Sequence, residues 1–229
     1  MNLYALQCPP NLEKGEFISL LTHIGPEKQE KVRRYRKPES AHQVLWGELL
    51  LRALIREKIG LTNQHIVFGT NKKGKPILIS DPSLHFNLSH SGKWILCALD
   101  TEPVGVDIEK IKDITPGLVN VSLSSQERRV FKEMSPQDRL SYFFTLWTWK
   151  ESFLKALGIG LDCLPEELSV PNDQTGRAGA VSLNYKEYRG FCRSYAVDPE
   201  YRAAVCSFQN RFPSVVIRRN RHSVLQAFS

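Results

Sequence analysis

The sequence predicts a mixed α/β (α+β) fold, and three observations point to it. Short apolar runs alternate with longer stretches at helical spacing along the chain. Turn-forming clusters separate them. With 229 residues, 41% apolar and 24% charged, the composition is that of an ordinary globular chain. A chain of this length buries roughly 70 to 75% of its unfolded surface, so one large domain or two modest halves can each form a core without disulfides or a structural metal.

The opening residues 1–10 lack a basic region and a long apolar run, so they read as a first strand rather than a signal peptide. Pro26 to Lys37 reads as a short helix with proline in its first turn, Val32 and Tyr35 on one face, and Lys28 and Lys31 sharing a face. Ala41 to Ile59 predicts a longer helix whose stripe is Val44, Leu45, Leu51, Leu54 and Ile55, ended by Gly60. Asn71 to Pro76 is a turn by composition. Three strands follow, Leu84 to Leu88, Trp94 to Leu99 and Pro103 to Ile108, the first two split by a polar turn Ser89-His90-Ser91-Gly92. Their short links favour antiparallel pairing. A second long helix runs from Pro136 to Leu157 and stops at Gly158-Ile159-Gly160. Leu168 to Phe208 reads as strands around turns such as Asn172-Asp173 and Asp198-Pro199, clearest at Tyr195 to Val197 and Ala203 to Ser207. A faint likeness between the two long helices, Leu45-Trp46 with Arg52-Ala53-Leu54 against Leu146-Trp147 with Lys155-Ala156-Leu157, suggests an internal duplication. Arg218, Arg219 and Arg221 read as a solvated tail.

Several classes are excluded. No apolar stretch approaches the roughly 20 residues that span a bilayer. The five cysteines form no C-x-x-C pair, which suits reduced thiols and a cytoplasmic protein. G-x-S-x-G, Walker, G-x-G-x-x-G and H-E-x-x-H motifs are all missing, which argues against hydrolases, P-loop enzymes and zinc proteases. Lys plus Arg exceed Asp plus Glu by 31 − 24 = 7, a surplus that suggests an anionic ligand or an acidic partner. A nucleic-acid-binding module is the rival that this charge and the basic run Lys31 to Lys37 raise, but no recognition motif accompanies it.

Within Val104-Gly105-Val106-Asp107-Ile108-Glu109 the two-residue period puts Gly105, Asp107 and Glu109 on one face. The two carboxylates, with Cα atoms about 6 to 7 Å apart, could reach one hard cation; alone, a solvent-facing acidic edge is the favoured reading. Glu151 and Lys155 share one face of the second long helix. A third carboxylate there would complete a magnesium site and the lysine would neutralise a phosphate oxygen; the bland alternative is a surface ion pair. Asn87-Leu88-Ser89-His90-Ser91-Gly92 offers hydroxyls, an imidazole and a glycine backbone suited to phosphate.

The ordered set Gly74-Lys75-Pro76, Asn87-Leu88-Ser89-His90-Ser91, Gly105-Val106-Asp107-Ile108-Glu109 and Trp147-Thr148-Trp149-Lys150-Glu151-Ser152-Phe153-Leu154-Lys155 closely resembles the Sfp-type 4′-phosphopantetheinyl transferases. The resemblance implies an intramolecular pseudo-dimer of two similar halves, residues 1–102 on the coenzyme A side and 103–229 on the metal and carrier side. It implies an enzyme that moves the phosphopantetheine arm of coenzyme A to a serine of an apo peptidyl or acyl carrier protein and releases adenosine 3′,5′-bisphosphate, in non-ribosomal peptide or other secondary-metabolite synthesis. Such a protein is expected to act as a monomer, without nucleic acid or membrane.

By the same resemblance, Asp107, Glu109 and Glu151 would hold Mg²⁺, with Mn²⁺ as a substitute. Lys155 and His90 would contact phosphates, Lys28 and Lys31 the 3′-phosphate, and Lys75 and Pro76 the adenine, with Lys73, Gly74, Ser89, Ser91 and Gly92 completing the coenzyme A site. Glu151, Glu127 or a water would take the serine proton, with Lys155 beside it. Gln43 stands where many relatives carry arginine, and Leu123 where phenylalanine often stands. The segment after Gly160, with Leu161, Leu164 and Leu168, corresponds to a carrier-docking region, core packing being the alternative.

Overall fold

The computed structural model describes residues 1–9, 12–160, 163–168, 170 and 180–228. Strand β1 (Asn2–Gln7) is central to the first sheet. Helices α1 (Lys14–Leu21) and α2 (Pro26–Arg33) lead into the 22-residue α3 (Pro38–Ile59). Proline opens α3, whose first turn has amides without helical partners, and Gly60 closes it at φ 72°, a left-handed conformation natural to glycine. Leu45, Trp46, Leu49, Leu50 and Leu54 form its buried stripe. A hairpin of β2 (Phe68–Thr70) and β3 (Pro76–Leu78) precedes β4 (His85–Ser91), β5 (Trp94–Asp100) and β6 (Val104–Lys110).

Helices α4 (Pro116–Ser122) and α5 (Ser125–Glu133) then lead to α6 (Pro136–Leu157), also 22 residues long, capped by Ser135 and ended by Gly158 at φ 66°. Strands β7 (Ala180–Tyr185), β8 (Tyr188–Ser194), β9 (Tyr201–Ser207) and β10 (Ile217–Arg219) and helix α7 (Arg221–Leu225) complete the chain. Among the described residues no helix is long and apolar enough to cross a membrane.

Two four-stranded sheets, β10-β1-β5-β4 and β6-β9-β8-β7, form the middle of the molecule. Alternation along the strands gives each sheet two apolar faces. Tyr4, Leu6, Ile95, Cys97 and Leu99 pack on the α3 side, and Leu183, Cys192, Ala204 and Cys206 on the α6 side. The opposite faces, Leu3, Ala5, Leu96 and Ala98 against Val104, Val106, Ile108, Ala203 and Val205, meet in a third core. The order of layers is therefore helix, sheet, sheet, helix. All five cysteines are free and buried in it.

The long helices and the Asn71–Pro76 turn stand where the sequence places them, although α3 begins three residues early. Other elements depart from expectation. Ser89, His90 and Ser91 belong to β4 rather than to a turn, because alternate residues of that strand face the second sheet. Strand β6 leaves its sequence neighbours and pairs with β9, Val104 opposite Ser207 and Asp107 opposite Ala204. Helix α2 ends at Arg33, leaving Tyr35 exposed. Tyr195–Val197 is not a strand. Asn172-Asp173 lies outside the described residues. The C-terminal arginines are not a free tail: Arg219 and Arg221 pair with Glu57 and Glu16, and Arg218 donates to the Val197 carbonyl.

The two halves are braced by Lys75. Its Nζ donates to the carbonyls of Val104 and Ala156, both at 3.1 Å, at the start of β6 and in the last turn of α6. Asn71 adds a bond from Nδ2 to the Gly158 carbonyl at 3.0 Å. Burial pushes the Lys75 ammonium down from its ordinary value of 10.5 to about 8.

Two predictions follow from these contacts. A Cβ at Gly105 would lie 1.9 Å from the Ser152 carbonyl oxygen and 2.4 Å from the Ala156 nitrogen, so Gly105→Ala should cost about 3 kcal/mol or more. An unchanged urea midpoint would show that β6 and α6 separate freely. For Lys75 the folded chain releases its proton before the unfolded chain does, so the cost of burying the charge is fully present below pH 8 and is relieved as pH rises towards 10.5. The stability of the parent relative to Lys75→Met should therefore increase through that window; a difference flat with pH would show that the ammonium is not held in this environment.

Candidate active site

Gly105 decides where the acidic strand lies. Its missing side chain lets β6 rest directly on the backbone of α6. Two residues further on, Asp107 stands beside Lys155, with Nζ 2.6 Å from Oδ1. Asp107 and Glu109 from β6, Trp147, Glu151 and Lys155 from α6, and Leu88, Ser89 and His90 from β4 line one cavity of about 280 Å³. Asp107 is 2% exposed. Its Oδ1 also accepts a bond from Ser89 Oγ at 2.8 Å, whereas its buried Oδ2 has no partner. Glu109 accepts from Ser91 Oγ at 2.8 Å.

Three carboxylates in one partly enclosed cavity repel each other. Burial and then the charge of Asp107 raise Glu151 above the usual carboxylate range, with Lys155 opposing. Glu109 is raised for the same two reasons, opposed by the Ser91 bond and by lysines. Burial and the Lys155 charge push His90 down, so its imidazole is neutral near pH 7.

The donor chemistry fits a hard cation: three carboxylates and an unpartnered buried oxygen. The described residues contain no group of three or more metal-binding side chains already gathered to hold an ion.

A second cavity, about 400 Å³, shares Glu151 and Lys155 with the first. Lys73, Gly74, Lys75 and Pro76 of the β2–β3 turn form one wall, and Leu154, Gly158, Gly160 and Leu164 another. The turn thus borders a cavity as expected, but the Lys75 ammonium itself is committed to main-chain carbonyls. Trp147 and Leu154 are walls that the sequence reading left out of the site. The signal was present in their helical spacing from Glu151.

Other expected residues are placed differently. Lys28 and Lys31 line neither cavity; Lys28 lies 3.6 Å from Glu48, and its charge contributes to holding His90 down. Gly92 forms the β4–β5 turn at φ 52°, its open side against Tyr201, and its carbonyl accepts from Gln43 Nε2 at 2.6 Å. Gln43 thus braces the turn next to His90. Glu127 is not brought into the site. It is fully buried, one oxygen held by Lys150 and the Ser124 amide and the other by the Val170 amide, and it lines neither cavity. Leu123 and Leu168 are core residues, Leu164 is 47% exposed, and Leu161 lies outside the described residues.

Comparison with known proteins shows the family. The family model described as 4′-phosphopantetheinyl transferase, N-terminal, matches residues 11–102, and that of the 4′-phosphopantetheinyl transferase superfamily matches residues 103–206. The 4′-phosphopantetheinyl transferase Sfp of Bacillus subtilis is 36% identical over 93% of this chain and 95% of its own. A 4′-phosphopantetheinyl transferase of Bacillus pumilus is 34% identical over 90% of each. The L-aminoadipate-semialdehyde dehydrogenase-phosphopantetheinyl transferase of Rattus norvegicus is 31% identical over 76% of this chain and 60% of its own. Two family-related domains in one mixed α/β chain, matched along almost their whole length by Sfp and its relatives, show that the chain belongs to the Sfp-like 4′-phosphopantetheinyl transferases.

Proposed function

We propose that this protein transfers the 4′-phosphopantetheine arm of coenzyme A to a serine hydroxyl of an apo carrier protein, with Asp107, Glu109 and Glu151 holding Mg²⁺ at the pyrophosphate. The observation that carries the reading is the convergence of those three carboxylates with Lys155 on one cavity, joined through Glu151 and Lys155 to a second cavity walled by Lys73–Pro76. The bound cation would supply charge neutralisation on the pyrophosphate oxygens.

The chain's own groups supply the rest. Lys155, freed from Asp107 when a phosphate arrives, offers three donors and a positive charge to an equatorial oxygen. His90, neutral near pH 7, can donate a hydrogen bond to a phosphate from the same cavity. In the reaction the serine oxygen forms a bond to the phosphorus bearing the pantetheine arm. The P–O bond to the other phosphate breaks, and adenosine 3′,5′-bisphosphate leaves with the electron pair. The serine proton needs an acceptor. Asp107, buried, is tied to Ser89, and Glu109 to Ser91, whereas Glu151 takes no hydrogen bond from another described residue. Glu151 is therefore the carboxylate suited to accept it, directly or through water. The Lys73–Pro76 turn falls within the match to residues 11–102 and the three carboxylates within the match to residues 103–206, which supports a site complete within one chain. Leu164, exposed at the rim of the second cavity, is suited to meet an apolar carrier surface.

Incubation with coenzyme A, Mg²⁺ and a panel of apo peptidyl and acyl carriers should add about 340 Da to a carrier, the mass of the transferred group in this phosphoryl transfer. Chelation of divalent metal should abolish the increment. Asp107→Ala should lower the rate at least about a hundredfold while the protein stays folded. Carriers of unchanged mass throughout the panel would refute the reaction, and normal turnover by Asp107→Ala at low magnesium would reduce the acidic pair to a structural edge.

A further inference from the structure

Strand β6 has an unusual open edge. Among the described residues it pairs through its backbone with β9 only, and β4, which runs beside it, ends the other sheet. In place of a strand-to-strand ladder, β4 side chains bind the β6 amides. Asn87 Oδ1 accepts from the Val106 amide at 2.8 Å, Ser89 Oγ from the Ile108 amide at 3.4 Å, and Ser91 Oγ from the Lys110 amide at 3.1 Å. Both strands advance by two residues per rung, the period at which amides return to one edge and side chains to one face. The carbonyls of that edge are met by side chains as well, Val104 by Lys75 and Val106 by Lys155 at 3.3 Å.

The serine rungs make a second contact. While accepting from the amide, Ser89 donates its proton to Asp107 and Ser91 donates to Glu109, both at 2.8 Å. Ser89 also accepts from Lys155 Nζ at 3.1 Å, which uses its one proton and both lone pairs. A hydroxyl so committed has nothing left to offer a phosphate. Opposite the Asn87 rung stands Gly105, which has no side chain to orient.

We propose that Asn87, Ser89 and Ser91 form a side-chain ladder that fixes the register of the two halves and, through the serines, aims the Asp107 and Glu109 carboxylates at the cation site. They are positioning residues rather than ligands of coenzyme A. The carboxylate part of this inference rests on the metal site proposed above; the register part does not.

The experiment has one arm for each part. Amide hydrogen exchange, followed by NMR on the metal-free protein, should be faster at Ile108 in Ser89→Ala and at Lys110 in Ser91→Ala, by about tenfold, with the other rungs changed less. Exchange unchanged at the facing amide, or raised equally at every rung, would overturn the ladder. Titration with Mn²⁺ followed by electron paramagnetic resonance should show about tenfold weaker binding by Ser91→Ala, and Ser91→Thr, which keeps the hydroxyl, should restore it. An alanine variant that binds as the parent does, or a threonine variant no better than alanine, would overturn the positioning role. If the parent binds Mn²⁺ no better than Asp107→Ala does, the metal reading itself fails, and the exchange arm still decides the register.

Discussion

The close approach of β6 to α6 at Gly105 is the contact on which the rest of the molecule depends. A sheet and a helix normally stand about 10 Å apart, kept there by side chains on both. At Gly105 the strand instead meets the helix backbone, with a Ser152 carbonyl where a Cβ would be. Only that proximity lets short carboxylates on the strand share a cavity with Glu151 and Lys155 of the helix. It also fixes the height of α6 over the second sheet, and with it the packing of Phe143, Phe153 and Leu154 on Leu183, Cys192 and Cys206.

From this contact the joining of the halves follows. Strand β6 is held by α6 on one face and by the apolar third core on the other, and its free edge is met by side chains of β4, the β2–β3 turn and α6. An edge strand left open invites unwanted pairing. Here it is closed by Asn87, Ser89, Ser91, Lys75 and Lys155, polar side chains whose own burial is compensated by these bonds. The groups that close the edge therefore stand in or beside both cavities.

Much of this was legible in the sequence, and what was not had a physical reason. The long helices announce themselves by proline at one end, glycine at the other and an apolar stripe between, all local signals. The D-x-E face of β6 and the Glu151–Lys155 face of α6 follow from periods of two and of three to four. Strand β4 was misread at its end because serine, histidine and glycine are turn formers in isolation; the amides that make them useful in a strand lie about twenty residues ahead. The pairing of β6 with β9 spans nearly a hundred residues and leaves no local mark. Arg219 and Arg221 looked free for the same reason, since their partners are Glu57 and Glu16 at the other end of the chain. Glu127 was named by its motif, and a motif does not say which way a carboxylate faces; the fully buried Lys150, in the motif around Glu151, is the cation that claims it.

That pairing separates two uses of a buried carboxylate in one domain. Glu127 has a donor on each oxygen: a lysine and two amides hold it in full burial, and such an ion pair locks α5, α6 and the chain near Val170 together. Asp107 is nearly as buried, yet its Oδ2 has no hydrogen-bond partner among the described residues, and the lysine paired with its Oδ1 also acts on Glu109 and Glu151. An unsatisfied buried oxygen costs stability, and mutual repulsion within the trio adds to the cost. A fold that places this defect at the meeting point of its two halves, and holds it there with serines rather than with further cations, keeps the site electron-rich. Burial first and the Asp107 charge second raise the proton affinity of Glu109 and Glu151, and a divalent cation with a pyrophosphate is the kind of ligand that relieves the repulsion.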